Sequence, residues 1–235
     1  MELSDWARIH THILQLEGEG LVTRTFRRLD PERQQAILIA ILDEAAEKGP
    51  TALNIKQVAE RAGVSVGSLY TYFPNRDGML AFAIQVCVRY VTAAFDEFRP
   101  YLSAMPLRQA LAAYMIGGIE WSRMVMGLIR LFARAAYHGD PELSETLVRP
   151  IATLLREMVH DMLSGAVERG EIRDDLDLEA TERIIHALTI AVGDSQLLPY
   201  LNTYFQVSDK EVPPERTLEA LVSLVMEGIG TRGAS

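Results

Sequence analysis

The chain has 235 residues, 49% of them hydrophobic, with a single cysteine and 32 acidic against 23 basic side chains, for a formal net charge of −9. That apolar content is enough to bury a sizeable core at a length suited to one large or two modest domains, and it excludes disorder as the default. The acidic balance excludes wholesale nonspecific attachment to nucleic acid, and one cysteine excludes an internal disulfide.

The opening MELSDWARIHTHILQLEGEG lacks the basic start and apolar centre of a signal peptide, and no 18-residue run escapes charged or polar interruption. A cytoplasmic protein with no membrane partner is expected. Trp6, Ile9, Ile13 and Leu16 have amphipathic helical spacing, which predicts packing on the body or on a partner subunit. TRTFRRLD then sets Arg24, Arg27 and Arg28 before the first strong helix; they read either as a basic arm for a minor groove or as solubilising charge. Charge is unevenly spread. Residues 24–76 hold eight Lys/Arg against six Asp/Glu, whereas residues 100–235 hold twelve against nineteen. A small DNA-contacting face is compatible with the first region, because steering follows the local potential.

Apolar residues at three- and four-residue spacing predict helices in PERQQAILIAILDEAAEKG, NRDGMLAFAIQVCVRYVTAAFDEF, PLRQALAAYMIGGIEWS, RPIATLLREMVHDMLSGAVERG, DLEATERIIHALTIAVGDSQLL and ERTLEALVSLVMEGI. FQVSDKEVPP, before the last of these, reads as a mobile loop. Cys87 sits in the apolar run AFAIQVCVRYV, where a buried, inert thiol is expected.

Between the first two long helices lies IKQVAERAGVSVGSLYTYFPNRDGML. Asn54 is placed to cap a short helix with Ile55, Val58, Ala59 and Ala62 inward; Gly63 ends it, Val64 fills the angle and Ser65 caps a second helix. Isolated helices this short are marginal in water, so packing must hold them. Two short helices meeting steeply form a helix-turn-helix, whose second member suits a DNA major groove. On that helix Leu69 and Phe73 point inward, Val66, Ser68, Thr71 and Tyr72 outward, and Gly67 allows close approach. Tyr70 and Tyr72 carry hydroxyl donors suited to phosphate oxygens; the alternative is that both rings simply pack.

From RQQAILIAILDEAAEKG through this stretch the sequence resembles the DNA-binding domain of the TetR family of transcriptional regulators, with its AGVS-x-G-x-LY-x-YF pattern and a polar, basic, acidic triplet, here Asn75-Arg76-Asp77. The resemblance implies an all-α protein: an N-terminal extension with a basic arm at 1–29, a three-helix helix-turn-helix DNA-binding domain at 30–80, and a helical ligand-binding and dimerisation domain at 81–235. It implies that Val66, Ser68 and Thr71 face base edges, with Gly67 at the closest approach. Tyr70, Tyr72 and Arg76 would lie near phosphates, and Asn54 and Lys56 would touch the backbone from the preceding helix. The family usually has Lys where Arg76 stands, and bidentate base readout is unavailable without Arg, Asn or Gln at the three reading positions, so contact with thymine methyls and shape readout must contribute.

The rest of the chain is read through the same resemblance. Met115, Trp121, Met124, Met126, Phe132 and Tyr137 gather in YMIGGIEWSRMVMGLIRLFARAAYH, where thioethers and aromatic rings suit either a pocket for apolar molecules or an ordinary core. Gly117-Gly118 in that helix is expected to supply a kink or free space. Wide apolar stripes on 149–170 and 177–198 suggest a twofold four-helix interface. Asp174, Asp175 and Asp177 read as helix-start charges in preference to a magnesium site, and Glu157, His160, Asp161 and His186 as core or interface residues in preference to a metal site. No cofactor, metal or catalytic residue is expected. The expected function is a ligand-responsive, homodimeric repressor, released from double-stranded operator DNA by a small apolar or amphipathic effector. The alternatives are a ligand-independent DNA-binding regulator and a helical metal-dependent enzyme.

Overall fold

Local signals start and stop the helices where the sequence puts them. In the computed structural model, which describes the backbone of residues 3–231 and the side chains of residues 9–231, α1 spans Leu3–Gly18, α2 Arg24–Arg27 and α3 Pro31–Lys48. Asp30 caps α3 by accepting the Arg33 N–H at 2.8 Å, with Pro31 in the first turn, where its missing N–H costs nothing. Next come α4 (Ile55–Ala62), α5 (Val66–Tyr72), α6 (Arg76–Ala104), α7 (Leu107–Met124) and α8 (Met126–His138). A short turn α9 (Pro141–Leu143) runs through a π-helical turn at Ser144–Val148 into α10 (Arg149–Glu168). The chain ends with α11 (Leu178–Leu197), α12 (Pro199–Phe205) and α13 (Pro214–Ile229). Among the described residues no strand forms; Ile172 and Gly230 make one isolated antiparallel bridge.

The helices sort into two compact units, one of residues 1–94 with 125–151 and the other of residues 95–124 with 152–235. In the first, Ile9, Ile13 and Leu16 of α1 are buried, as their spacing predicts; the Trp6 side chain lies outside the described residues. Phe26, Ile37, Ile41, Val58, Leu69, Phe73, Met79 and Phe82 fill the centre. Helix α8, absent from the helices read from sequence, packs along α3. A Cβ on Gly127 would meet Asp43 at 2.9 Å and Leu42 at 3.5 Å, and Arg134 reaches the Ala46 and Glu47 carbonyls at 3.4 and 3.5 Å. Cys87 is buried, and loss of hydration pushes its thiol up to about 12. Helix α6 is long and apolar enough to cross a membrane by composition, yet Met79, Phe82, Ala83, Val86 and Val91 bury one face of it inside the protein.

In the second unit Leu107, Leu111, Tyr114 and Met115 of α7 pack with Met158 and Met162 of α10, Ile185 and Val192 of α11, and Leu221 and Val225 of α13. Glu171 caps α7 from a distance, accepting the Leu107 N–H at 2.6 Å. Helix α7 continues unbroken past Gly117 and Gly118, and a Cβ on either would meet nothing within 4 Å, so there is open space beside the pair. Asp177 caps α11 through the Ala180 N–H at 3.0 Å, which accounts for that acidic residue without a metal. The segment expected to be a mobile loop is pinned. Asn202 Oδ1 accepts the Val207 and Ser208 N–H groups at 3.1 Å, its Nδ2 donates to the Ser208 carbonyl at 2.8 Å, and Thr217 Oγ1 donates to the Val207 carbonyl at 2.9 Å.

Candidate nucleic-acid interface

Helices α4 and α5 are built by caps as their sequence dictates. Asn54 Oδ1 accepts the Lys56 N–H at 3.0 Å, and Ser65 Oγ accepts the Ser68 N–H at 3.0 Å. Gly63 adopts φ 65°, ψ 33°, the left-handed conformation that suits glycine, and the Val64 N–H closes the end of α4 on the Ala59 carbonyl at 2.9 Å. Arg61 ties α4 to α3: it forms two hydrogen bonds to Glu47, at 2.6 and 3.1 Å, and stands 3.3 Å from the fully buried Glu44. The hydrogen bonds from Arg61 lead the effects that hold Glu47 below the usual carboxylate range.

An open cleft of about 580 Å³ runs over this pair of helices, and Asn54, Lys56, Val66, Tyr70 and Arg76, all named from sequence, line it. Tyr70 is 57% exposed. Arg76 forms one wall, donating to the Thr51 carbonyl at 2.8 Å and pairing with Asp77 at 3.0 Å. Asn75 Oδ1 accepts the Gly78 N–H at 2.7 Å and so caps α6. On α5, Gly67 and Thr71 are exposed and Val66 and Ser68 half-buried. Thr71 Oγ1 donates to the Gly67 carbonyl at 3.0 Å, and Ser68 Oγ lies 2.8 Å from Ser65 Oγ. The Thr71 hydroxyl proton is thus committed within the helix, leaving the oxygen as an acceptor and the methyl as an apolar surface. A Cβ on Gly67 would meet only Ser65 Oγ, at the ordinary distance of 3.7 Å. Internal packing therefore does not demand glycine there.

Two sequence expectations need correction. Tyr72, expected outward, is 8% exposed, with its ring edge-on to Phe26 at 5.9 Å; an aromatic partner supplied by the N-terminal extension draws it in. The TRTFRRLD segment is not an extended arm. Residues 24–27 form a helical turn anchored by the fully buried Phe26, and Arg27 pairs with Glu17, which leaves Arg24 and Arg28 as its exposed cations. Sequence reasoning missed Thr23 and Phe26 as parts of this region, and no local pattern announces them, because their partners lie more than forty residues downstream.

The residues read as a ligand pocket are divided. Met115, Trp121 and Met124 belong to the second unit and Met126, Phe132 and Tyr137 to the first, since the helix breaks at Val125. Met115 is core, Trp121 packs on Phe95 at 5.4 Å, and Met124 and Tyr137 are about half exposed. In the second unit Arg99 holds Asp161 at 2.8 Å and Glu157 at 3.0 Å, while the buried Glu182 takes His160 Nδ1 at 2.6 Å and Arg156. Burial raises the Glu182 carboxyl, but the His160 and Arg156 hydrogen bonds outweigh it and hold the group below the usual range. These ion pairs engage Glu157, His160 and Asp161 but not His186, whose Nδ1 is buried without a hydrogen-bond partner, and no cluster of three possible metal ligands occurs among the described residues.

Comparison with known proteins agrees with this geometry. Residues 37–82, from α3 into α6, match the model for bacterial regulatory proteins of the tetR family. The HTH-type transcriptional repressor KstR of Mycolicibacterium smegmatis is 32% identical over 154 residues, covering 61% of this chain and 67% of that protein. The HTH-type transcriptional regulator RutR of Escherichia coli K12 is 26% identical over 216 residues, covering 92% and 99%. The fold also matches that of SmeT in its complex with triclosan, at a TM-score of 0.65 and 18% identity over 87% of this chain and 94% of that one. A capped helix-turn-helix beneath a cleft with basic and tyrosyl walls, joined to an all-helical remainder and to these relatives along most of its length, establishes that the chain belongs to the TetR family of DNA-binding transcriptional regulators.

Proposed function

We propose that the chain is a homodimeric, cytoplasmic repressor that binds double-stranded operator DNA through residues 30–80 and releases it when a small apolar or amphipathic molecule binds within 81–235. The observation that carries the DNA contact is the cleft lined by Asn54, Lys56, Val66, Tyr70 and Arg76, where cations and hydroxyl donors suited to phosphate flank the outer face of α5. Gly67, Ser68 and Thr71 continue that face, and Tyr72 contributes through its place at the end of the helix. Arg24 and Arg28 flank the footprint as phosphate contacts, while Arg27 serves the fold through Glu17. Specificity rests on the Val66 and Thr71 methyls against thymine and on DNA shape, because Val66, Ser68 and Thr71 include no side chain capable of bidentate hydrogen bonding to a base.

Dimerisation is assigned to α11 and α13. Ile184 is 62% exposed, Leu188 one turn on is 37%, and Leu224 on the adjoining α13 is 65%. Of the α10 stripe, Ile151, Leu154, Met158 and Met162 are buried, Leu155 is half-buried and Val167 is exposed, so most of it serves its own domain. An isologous pairing of α11 and α13 buries their exposed residues as a four-helix bundle.

Effector control is supported by the packing of α8 on α3, which gives the larger region a direct hold on the DNA-reading one. An effector that prefers the DNA-incompetent arrangement lowers operator affinity by its coupling energy, typically ~1–3 kcal/mol. Met115, Trp121 and Met124 of α7 are the candidate lining in the second unit; Met126, Phe132 and Tyr137, also named from sequence, are candidates within the first. The bound triclosan of SmeT, a similar fold, illustrates the chemical class. In vitro selection from a random duplex library tests the reading, followed by competition with apolar compounds. Recovery of a palindromic site supports it, and recovery of no preferred sequence overturns it.

A further inference from the structure

Helix α5 has only seven residues, Val66–Tyr72, and Phe73 leaves it in an extended conformation at φ −125°, ψ 144°. Its few internal hydrogen bonds cannot set its direction, so whatever holds its two ends does. Ser65 holds the first end. At the other, the last carbonyls of a helix lack intrahelical partners, and here they are met from 48 residues upstream: Thr23 Oγ1 donates to the Thr71 carbonyl at 2.8 Å and the Thr23 N–H to the Tyr72 carbonyl at 2.9 Å.

Thr23 is itself firmly held. Three residues on, Phe26 is fully buried, with its ring 5.3 Å from that of Phe73 and 5.1 Å from that of Phe82 on α6. The fully buried Gln34 of α3 donates to the Phe26 and Arg27 carbonyls, both at 3.0 Å. Arg27 pairs with Glu17, and Glu19 pairs in turn with Arg89 of α6 at 2.7 Å. One short segment therefore joins α3, α5 and α6 and is tied back to the end of α1.

We propose that Thr23 is a positioning residue for the reading helix, capping the C-terminal end of α5 so that residues 23–28 set the angle at which Val66, Ser68 and Thr71 meet the groove. The proposal rests on the DNA-reading function given above. A seven-residue helix is about 10 Å long, so a tilt of about 10° moves its far end by about 2 Å, well beyond the ~0.5 Å tolerance of a working contact. The sequence-independent phosphate contacts, made by long flexible cations, tolerate such a tilt far better than base-edge contacts do.

The test compares Thr23→Val, which keeps the shape but removes the O–H donor, with Thr23→Ser, which keeps the donor. The ratio of affinity for the selected operator to that for random duplex is measured beside amide hydrogen exchange in α5. One uncharged hydrogen bond lost at the helix end corresponds to a fall in that ratio of about fivefold. The expected result is that fall in Thr23→Val, with random-duplex affinity unchanged, faster exchange in α5, and recovery of both readouts in Thr23→Ser. Equal loss of both affinities together with a lower melting temperature makes Thr23 a stability residue only and overturns the proposal. A wild-type ratio with wild-type exchange in Thr23→Val overturns it while leaving the DNA-reading function intact. Failure of the wild type to prefer any duplex sequence removes that function and the positioning role with it, even where faster α5 exchange still reports the cap.

Discussion

Lys56 offers a sharp test of the phosphate contacts because its removal leaves the fold untouched. Its backbone N–H caps onto Asn54, an interaction that alanine preserves, and its side chain is exposed on the cleft wall. Of the cations around the helix-turn-helix, Arg27 and Arg61 are engaged by Glu17 and Glu47, and the phosphate set is taken as the exposed Arg24, Arg28 and Lys56 with Arg76 of the cleft wall, whose guanidinium also meets Asp77. Two protomers then supply about eight contacts, and with about 0.9 counterion released per contact the logarithm of operator affinity falls with the logarithm of salt at a slope of about −7. Lys56→Ala removes two contacts per dimer and reduces the slope to about −5.4. Between 50 and 200 mM salt the wild type loses affinity by about 2 × 10⁴-fold and the variant by about 2 × 10³-fold, so the gap between them narrows about tenfold as salt rises. Fluorescence anisotropy on a labelled operator across that range measures both slopes. A Lys56→Ala slope equal to the wild-type slope, with an unchanged melting temperature, refutes the placement of Lys56 on DNA and the reading of the cleft as a phosphate track.

Three further outcomes are expected. Gly67→Ala gains about 1 kcal/mol of helix propensity and raises the melting temperature by about 2–4 °C, while weakening operator binding because the new methyl stands on the DNA side; unchanged or tighter binding contradicts the close approach assigned to that residue. Leu188→Arg places a charge on the α11 face and is expected to yield monomers by sedimentation with lost operator binding; a wild type that sediments as a monomer at micromolar concentration removes the interface. The lowered Glu182 carboxyl contributes stability that is fully present above the ordinary glutamate range and is lost as pH falls through that range to the lowered value. The melting temperature of Glu182→Gln is therefore expected to depend less steeply on acid than that of the wild type, and parallel curves for the two proteins argue against this account.

The helix boundaries and the helix-turn-helix were legible because their determinants are local. Asp30, Asn54, Ser65 and Asp177 each cap a backbone N–H two or three residues ahead, and Gly63 turns the chain by its own conformation. The apolar periods that follow state which face each helix buries, and five residues that the resemblance named, Asn54, Lys56, Val66, Tyr70 and Arg76, line one cleft. Periodicity does not say which partner a buried face meets. Tyr70 and Tyr72 look alike in sequence, yet one is exposed and the other is covered by Phe26, a residue 46 positions earlier than Tyr72. The α10 and α11 stripes are similarly apolar, but the core buries Ile151, Leu154, Met158 and Met162 of the first and leaves Ile184 and Leu188 of the second at the surface. The run from Met115 to Tyr137 reads as one cluster, whereas the break at Val125 sends its halves to different compact units. Capping and turn chemistry act over a few residues and are written into neighbouring side chains; the choice of packing partner depends on the whole chain's competition for buried area, and only the tertiary structure decides it.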